Sequence, residues 1–388
     1  QLDFLINDKA NPTEVEETKV SIKARKLVGK LYDAFLNEYK KYGEPTDKIL
    51  HDLNVICVRI VFLLYAEDSG LFSQPDMFCR YLESWRWENS QDALQKLFKV
   101  LDTKKEERSP FLDPKLAAFP YVNGGLFRED CDIPPITEEI YNIILNDMGK
   151  QFDWSGVNGA VLGGCFESTL NPAKRRQNGQ HFTTLNTLAK VINPLFLDDL
   201  KKELEEILSI PQSEKYIANR KELTLRYDYK NKLEAFQDKL TKIIIFDPAL
   251  GCANFLVVSY IGLRRLENKV IQELSGGMQF LDMENPIKVS IKQFYGIEIN
   301  DFAVSVSKAS LWIAEIKMMK ETENIIHHNI EFFPLKEIAN IHEGNALKIN
   351  WENVVPKDKL SYICSNPPYI GYSLQTKSQK DDIRKIYV

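Results

Sequence analysis

The sequence has no uninterrupted apolar run long enough to span a membrane, which takes about 18 residues, and no recognisable secretory signal. Its six cysteines are scattered and form no Cys-x-x-Cys pair, which argues against a zinc site or a disulfide framework. The net charge of −5 is not typical of a nucleic-acid-binding protein, although a basic groove can lie on an acidic body. We therefore expect a cytoplasmic protein with no metal site and no contact with a membrane.

The length of 388 residues predicts two domains, each large enough to bury a core. Between Glu14 and Tyr42 apolar residues recur at three- and four-residue spacing, as on one face of a helix. The apolar stretch from Asn54 to Phe72 is typical of a buried helix. We expect an all-α domain over residues 1–150 and a second domain over residues 151–388.

A short pattern near the amino terminus, Asp8 with Glu17-Thr18-Lys19, matches part of the signature of a metal-dependent nuclease. No alternation typical of a strand surrounds these residues, so the solvated start of a helix is the favoured interpretation. We therefore expect no metal-dependent chemistry from this stretch.

The second domain contains a strand, a tight turn and a helix in close succession. The apolar run Ile243 to Phe246 ends at Asp247-Pro248 and predicts a buried strand, and the residues after Asn254 have helical composition. Small side chains in the turn would let a ligand approach the backbone at Ala249, Gly251 and Ala253. An ordinary turn rich in small residues is an equal alternative for this stretch alone.

A second predicted strand, Gln293 to Asn300, carries an acid near its end and precedes a predicted helix from Asp301 to Lys320. In a doubly wound sheet such an acid, here Glu298, can bind ribose hydroxyls. It lies 47 residues after Gly251, farther than the roughly 20 of a Rossmann fingerprint, and an insertion explains part of that distance. These elements predict an α/β domain with a nucleotide-type pocket.

Two further stretches carry polar groups at element ends. Thr183 and Thr184 follow a basic, glycine-containing loop at a predicted helix start, where they could hold a carboxylate or simply cap the helix. Asn366-Pro367-Pro368-Tyr369 follows a short apolar stretch. The prolines lock this turn and remove two donors, so carbonyl oxygens can accept an amine while the tyrosine ring stacks on a planar substrate. A rigid surface loop is the alternative.

Together these motifs resemble the amino N-methyltransferases that modify DNA, specifically the adenine-N6 group of the gamma arrangement. The order of the motifs agrees with the gamma arrangement, in which the carboxylate-binding motif comes first, the glycine-rich motif second and Asn-Pro-Pro-Tyr last. The helical leader, with the stretches 65–72 and 119–127, resembles the spacer of single-chain type IIG/IIL restriction-modification enzymes and related phage-defence methyltransferases. The resemblance implies a class I S-adenosylmethionine-dependent methyltransferase fold, here incomplete, preceded by a helical domain.

The resemblance also implies a role for particular residues. Thr183 would hold the cofactor carboxylate, Glu298 the ribose hydroxyls and Asn345 the adenine ring. The full implied set comprises cofactor-binding Thr183, Asp247, Gly251, Glu298 and Asn345, and catalytic Asn366, Pro367, Pro368 and Tyr369. The implied cofactor is S-adenosylmethionine, and the implied partners are double-stranded DNA and partner subunits of a defence system. Cys364 is not expected to be a nucleophile, because the cysteine of cytosine-C5 methyltransferases follows a proline.

The sequence departs from the family pattern in the glycine-rich turn. The usual Asp-Pro-Ala-Cys-Gly-Ser-Gly is changed at Leu250, Cys252 and Ala253, and the Cβ of Ala253 is expected to weaken cofactor binding. Thr184 stands where the family prefers proline. Only 19 residues follow Asn-Pro-Pro-Tyr, and the chain begins with Gln1, so we expect part of a longer protein that does not methylate DNA specifically by itself.

Two other functions fit the same residues. Asn-Pro-Pro-Tyr also occurs in enzymes that methylate protein glutamine or RNA adenine, although the helical leader and the motif order favour DNA. Alternatively, the altered turn suits a non-catalytic module that senses the cofactor within a defence complex.

Overall fold

The structure of the protein is a computed structural model. It describes residues 12–72, 74–122, 126–157, 185–210, 220–275, 286–327, 330, 340–368, 371–373 and 375–387. The chain divides into two compact units, which we call the helical unit (residues 1–180 and 301–313) and the sheet unit (residues 181–300 and 314–388). The domain boundary expected near residue 150 stays a prediction.

The helical unit is built from short and long helices joined by turns. Its α-helices are α1 Pro12–Lys40, α2 Asp47–Asp68, α3 Met77–Glu83, α4 Ser90–Leu101, α5 Pro114–Ala117 and α6 Glu138–Asn142. A π-helical stretch, Ile143–Lys150, continues α6, and 3-10 turns lie at Trp87–Asn89, Lys105–Glu107 and Trp154–Gly156. The predicted amphipathic helix is α1, and it includes Glu17 and Lys19 as expected for a helix start; Asp8 lies outside the described residues.

Helix α2 is the centre of the helical unit. By length and composition it could span a membrane, but 83% of its most apolar 18-residue stretch is buried inside the protein. The Phe62 ring contacts the rings of Phe127 and Trp312, with centroids 6.1 and 6.3 Å apart. The Tyr65 hydroxyl donates to the Ile313 carbonyl over 3.3 Å. The prediction of a buried core helix is confirmed, and its core includes residues from far along the chain.

The sheet unit combines helices with a small parallel sheet. Its helices are α7 Leu185–Ile192, α8 Asp198–Leu208, α9 Arg220–Thr241, α10 Asn254–Ser275, α11 Asp301–Ile326 (its first 13 residues counted with the helical unit) and α12 Lys377–Tyr387. A π-helical stretch spans Asn193–Leu197, and 3-10 turns lie at Ile291–Gln293 and Trp351–Asn353. The strands are β1 Ile245–Asp247, β2 Phe294–Glu298, β3 Asn340–Glu343 and β4 Tyr362–Ile363.

The four described strands are all parallel and lie in the order β3-β2-β1-β4. Ile245 of β1 pairs with Phe294 of β2 on one side and with Tyr362 of β4 on the other. Strand β1 is thus the point at which the strand order reverses, and ligands of open α/β sheets bind beyond the carboxyl ends of the strands at such a point. The helical region followed by a doubly wound parallel sheet confirms the predicted fold class.

A buried polar network in the sheet unit joins helix α10 to the chain that enters β2. Glu267 Oε1 accepts the backbone N–H groups of Lys288 (2.6 Å) and Val289 (3.0 Å) and the side-chain amide of Gln237 (3.0 Å). Its Oε2 pairs with the buried guanidinium of Arg264. The carboxylate therefore satisfies donors that would otherwise be buried without an acceptor.

Candidate cofactor and target-base site

Asp247 ends strand β1 and is the most deeply buried acid of the predicted site. Its Oδ1 accepts the Ala249 N–H over 3.0 Å, and within the described part of the chain its buried Oδ2 has no hydrogen-bond partner. Burial raises the pKa of the Asp247 carboxyl to about 7; the Ser365 hydroxyl and the Ala249 N–H oppose this rise, and the charge of Glu298 adds to it. An unpartnered buried acceptor fits a ligand that brings an N–H donor or a positive charge.

The turn after β1 has a left-handed backbone at two positions. Gly251 has a φ of +56°, and among the described residues an added Cβ there would meet no atom within 4 Å, which leaves open space beside it in that part of the structure. Ala253 has a φ of +63° and is fully buried. The left-handed conformation suits glycine and costs about 1–2 kcal/mol for other L-residues. The left-handed backbone at position 253 is therefore a second reason, besides the close approach of a ligand, why the family pattern has glycine there.

Replacing Ala253 by glycine is expected to stabilise the protein by about 1 kcal/mol, because it removes the left-handed strain at some cost in unfolded-state entropy. Urea unfolding followed by circular dichroism measures the change. Ala249→Gly in the same turn is the matched control, since Ala249 has no positive φ, and it should bring no gain. Equal effects of the two substitutions would show that Ala253 carries no backbone strain.

Glu298 ends strand β2 and joins it to the turn. Its Oε2 accepts the Gly251 N–H over 2.7 Å, and its Oε1 accepts the Asn300 N–H over 3.0 Å. Burial raises the pKa of this carboxyl, and the backbone hydrogen bonds oppose the rise. Gly251 and Glu298 are thus in direct contact, as a shared pocket requires.

Leu250 and Gly296 hold the turn against the sheet. The Leu250 N–H donates to the Ile297 carbonyl over 3.1 Å, and the Leu250 side chain lies over Gly296. A Cβ at residue 296 would come within 2.8 Å of that side chain, so glycine is needed there as long as leucine occupies position 250. The leucine that replaces the family's cysteine is therefore accommodated by a glycine in the neighbouring strand.

Asn345 follows strand β3 beside the end of β2. The preceding residue, Gly344, has a φ of +147° and donates its N–H to the Glu298 carbonyl over 2.8 Å. The half-buried Asn345 side chain bonds Asp382 of helix α12, a contact that sequence reasoning did not predict. Asn345 therefore lies near the carboxyl ends of the strands that carry Asp247 and Glu298.

Strand β4 leads into Asn366, Pro367 and Pro368, which are exposed just beyond its end. The Cys364 N–H donates to the Phe246 carbonyl of β1 over 3.1 Å, so this turn starts beside Asp247. Burial, with a contribution from Asp247, raises the pKa of the Cys364 thiol to about 12. A protonated, buried thiol is a poor nucleophile, which agrees with the role expected for it.

The structure brings Asp247, Gly251, Glu298 and Asn345 to one edge of the sheet, with the Asn366 turn at the adjacent strand. Thr183 and Tyr369 lie outside the described residues. The roles of all nine predicted residues stay predictions.

Sequence reasoning missed three residues of this edge. Ile299, next to Glu298, is an apolar side chain that is 67% exposed at this edge of the sheet. Asn254 Oδ1 and Ser365 Oγ are buried polar atoms without a hydrogen-bond partner among the described residues. The Ser365 hydroxyl influences the pKa of Asp247 although no hydrogen bond of normal geometry joins them, so we regard their contact as electrostatic. Ile299 could have been found in the sequence, because it is an apolar residue directly after the acid near the end of a predicted strand.

The parallel sheet with its reversal at β1, and the acids and glycine gathered there, define the class I methyltransferase fold. Residues 223–388 match the family described as MmeI, DNA-methyltransferase domain. Residues 51–127 match the family described as MmeI, helicase spacer domain. These matches confirm the resemblance of this chain to the type II restriction-modification DNA methyltransferases of the MmeI kind.

Individual relatives agree with this assignment. DNA methyltransferase A of Bacillus subtilis is 31% identical over 96% of this chain and 40% of that protein. A putative type II restriction enzyme and methyltransferase of Methanocaldococcus jannaschii is 26% identical over 79% of this chain and 28% of its own length. The type IIL restriction-modification enzyme MmeI, solved in complex with DNA, is 34% identical with a TM-score of 0.78 over 94% of this chain and 45% of its own. The chain thus spans less than half the length of these relatives.

Proposed function

We propose that this chain forms the cofactor-binding and target-base-binding part of an enzyme that transfers a methyl group from S-adenosylmethionine to the N6 amine of adenine in double-stranded DNA. The observation that supports it best is the meeting of the Asp247–Gly251–Glu298 cluster with the start of the Asn366 turn at adjacent strands. Recognition of a DNA sequence would belong to parts of the enzyme outside this chain.

The residues present fit the proposed cofactor. The open space beside Gly251 admits a ligand to the turn, and the unpartnered Oδ2 of Asp247 can accept an N–H donor of its methionine part. Glu298 is an acceptor for ribose hydroxyls, although its oxygens already accept two backbone N–H groups. Each carboxylate oxygen has a second lone pair, so these bonds leave capacity for a ligand.

The Asn366 turn would prepare the target amine. The Asn366 side-chain oxygen and the Pro367 carbonyl would accept its two N–H groups, which orients the nitrogen lone pair toward the methyl group. When bound, S-adenosylmethionine would supply an electrophilic methyl group; the electrons of the broken S–C bond would stay on sulfur, and the methylated nitrogen would release one proton to solvent at this exposed turn. The adenine would have to leave the DNA stack to reach this exposed turn, as in other enzymes that act on bases.

Calorimetric titration of S-adenosylmethionine into the chain and into Asp247→Ala and Glu298→Ala variants tests the cofactor assignment. Each substitution removes a carboxyl acceptor, and hydrogen bonds to neutral or charged acceptors are worth about 0.5–3 kcal/mol, so we expect affinity to fall roughly 2- to 100-fold. Asp358→Ala is the control, because Asp358 is an exposed acid of the same unit. Its affinity should equal that of the unchanged chain.

Thermal unfolding of each variant separates loss of the site from loss of the fold. Folded variants that bind as tightly as the unchanged chain would contradict the proposed site. Tight cofactor binding in an intact enzyme that never methylates DNA would favour the non-catalytic sensing module, for which the altered turn at Ala253 is the structural argument.

A further inference from the structure

Helix α12 is mostly exposed, yet it buries one acid, Asp382, against the loop after β3. Asp382 Oδ2 accepts from the Asn345 side-chain amide over 3.1 Å and pairs with the Lys348 ammonium over 3.1 Å. A buried carboxylate needs such partners, since burial without them is costly. In both contacts Asp382 is the acceptor.

These contacts determine which way the Asn345 amide points. Its Oδ1 accepts the Leu347 N–H over 2.9 Å, and its Nδ2 donates to Asp382. If the amide turned over, its NH2 would face the Leu347 N–H and its oxygen would face a carboxylate, so both pairs would repel. The orientation of an asparagine amide is normally ambiguous and must be assigned from such partners. Here the Leu347 N–H is a fixed donor and the Asp382 carboxylate is a fixed acceptor, and both are compatible with only one orientation of the Asn345 amide.

The fixed orientation leaves Asn345 Oδ1 with one lone pair that is not used by Leu347. A free amide could satisfy either an amino or an oxo group on a purine ring by turning over. An amide held by Asp382 and Leu347 cannot turn over without losing both hydrogen bonds, so a ligand group that faces its oxygen end meets only an acceptor. The exocyclic group that it can accept is therefore an amine, as at position 6 of adenine.

We infer that Asp382 is a positioning residue that makes the cofactor pocket selective for an adenine ring by fixing the amide of Asn345. This inference rests on the proposed function, in which Asn345 contacts the cofactor adenine. It assigns to helix α12 a part in cofactor selection although the helix lies beyond the Asn366 turn in the chain.

The experiment compares two ligands that differ only at the N1–C6 edge of the purine: S-adenosylhomocysteine has a 6-amino group and an unprotonated N1, and S-inosylhomocysteine has a 6-oxo group and an N1–H. The ratio of their dissociation constants is measured by calorimetry for the unchanged chain and for Asp382→Asn, Asp382→Ala and Asn345→Ala. A site built around one hydrogen-bonded group rejects the analogue that lacks it, so we expect the unchanged chain to prefer the adenosyl ligand by about 10-fold or more.

Both Asp382 variants should lower this preference to about threefold or less, because only the Leu347 N–H then opposes turning of the Asn345 amide toward the oxo group. Asp381→Asn is the matched control. Asp381 is the neighbouring acid on the same helix and is only half-buried, so its substitution should leave the preference unchanged. The ratio of the two dissociation constants is informative, because loss of a merely structural contact of Asp382 would weaken the binding of both ligands equally.

The outcomes distinguish this inference from the function on which it rests. If Asn345→Ala loses the preference and both Asp382 variants keep it, the positioning role of Asp382 is wrong, whereas the contact of Asn345 with the adenine ring is supported. A parallel loss of affinity for both ligands in the Asp382 variants also overturns it. If the unchanged chain binds neither ligand, or if Asn345→Ala keeps the full preference, Asn345 does not bind adenine and the inference fails with that assignment.

Discussion

Replacing Asn366 by alanine is expected to lower the rate of adenine methylation by the intact enzyme about 100-fold or more, with little change in affinity for S-adenosylmethionine. The substitution removes one of the two acceptors proposed for the target amine, and misplacement of a reacting group can cost about 100-fold in rate. Asn366 is exposed beyond β4, so the fold should tolerate the change. Single-turnover transfer of a radiolabelled methyl group to DNA measures the rate.

Two further variants make that result specific. Asn366→Asp keeps an oxygen acceptor and should retain more activity than the alanine variant. Asn353→Ala, a loss of the same side chain at an exposed position in the 3-10 turn Trp351–Asn353, should leave the rate unchanged. An Asn366→Ala enzyme that methylates adenine at the normal rate would remove the proposed amine-binding turn from the mechanism.

Replacing Glu267 by alanine is expected to lower the free energy of unfolding by about 3–5 kcal/mol, as removal of one partner of a buried ion pair does. Arg264 would keep a buried charge, and the N–H groups of Lys288 and Val289 would lose their acceptor. Because these two residues lead toward strand β2, the loss would affect the strand that carries Glu298. Urea unfolding followed by circular dichroism gives the change.

A surface pair in the same unit provides the control. Glu321 lies 3.7 Å from Arg265 with both side chains partly exposed, and Glu321→Ala should cost less than about 1 kcal/mol. Glu267→Gln keeps an oxygen for the backbone donors and should fall between the two. A Glu267→Ala protein as stable as the Glu321→Ala protein would show that the network is not important for stability.

Local patterns were sufficient to predict the centre of the sheet unit. The apolar run before Asp247 contains β1, which also includes Asp247, and the helix begins at Asn254. The strand expected over Gln293 to Asn300 is β2, although it ends at Glu298, two residues earlier than expected. These elements are specified by neighbouring residues, because strand composition, a proline and small turn residues act within a few positions. The helix expected to end at Lys320 continues to Ile326, a boundary that the sequence does not mark with a glycine or proline.

Long-range contacts could not be predicted in the same way. Ile245 pairs with Tyr362 through hydrogen bonds between backbone groups, which all residues share, so residue types do not reveal the partner strand. Glu267 and Asp382 are buried although charged residues on helices usually face solvent. The left-handed conformation of Ala253 is also set by the surrounding turn, since alanine by itself disfavours it.

The packing of helix α2 has a consequence for biosynthesis. Phe62 and Tyr65 contact Trp312 and Ile313, and Tyr65 is separated from its partner by 248 positions. As the ribosome makes the chain, helix α2 therefore cannot complete its core until β1 and β2 have been translated. Most of the helical unit is translated first, yet its core can close only after residue 313 has been made, and until then the apolar surface of α2 is exposed to aggregation.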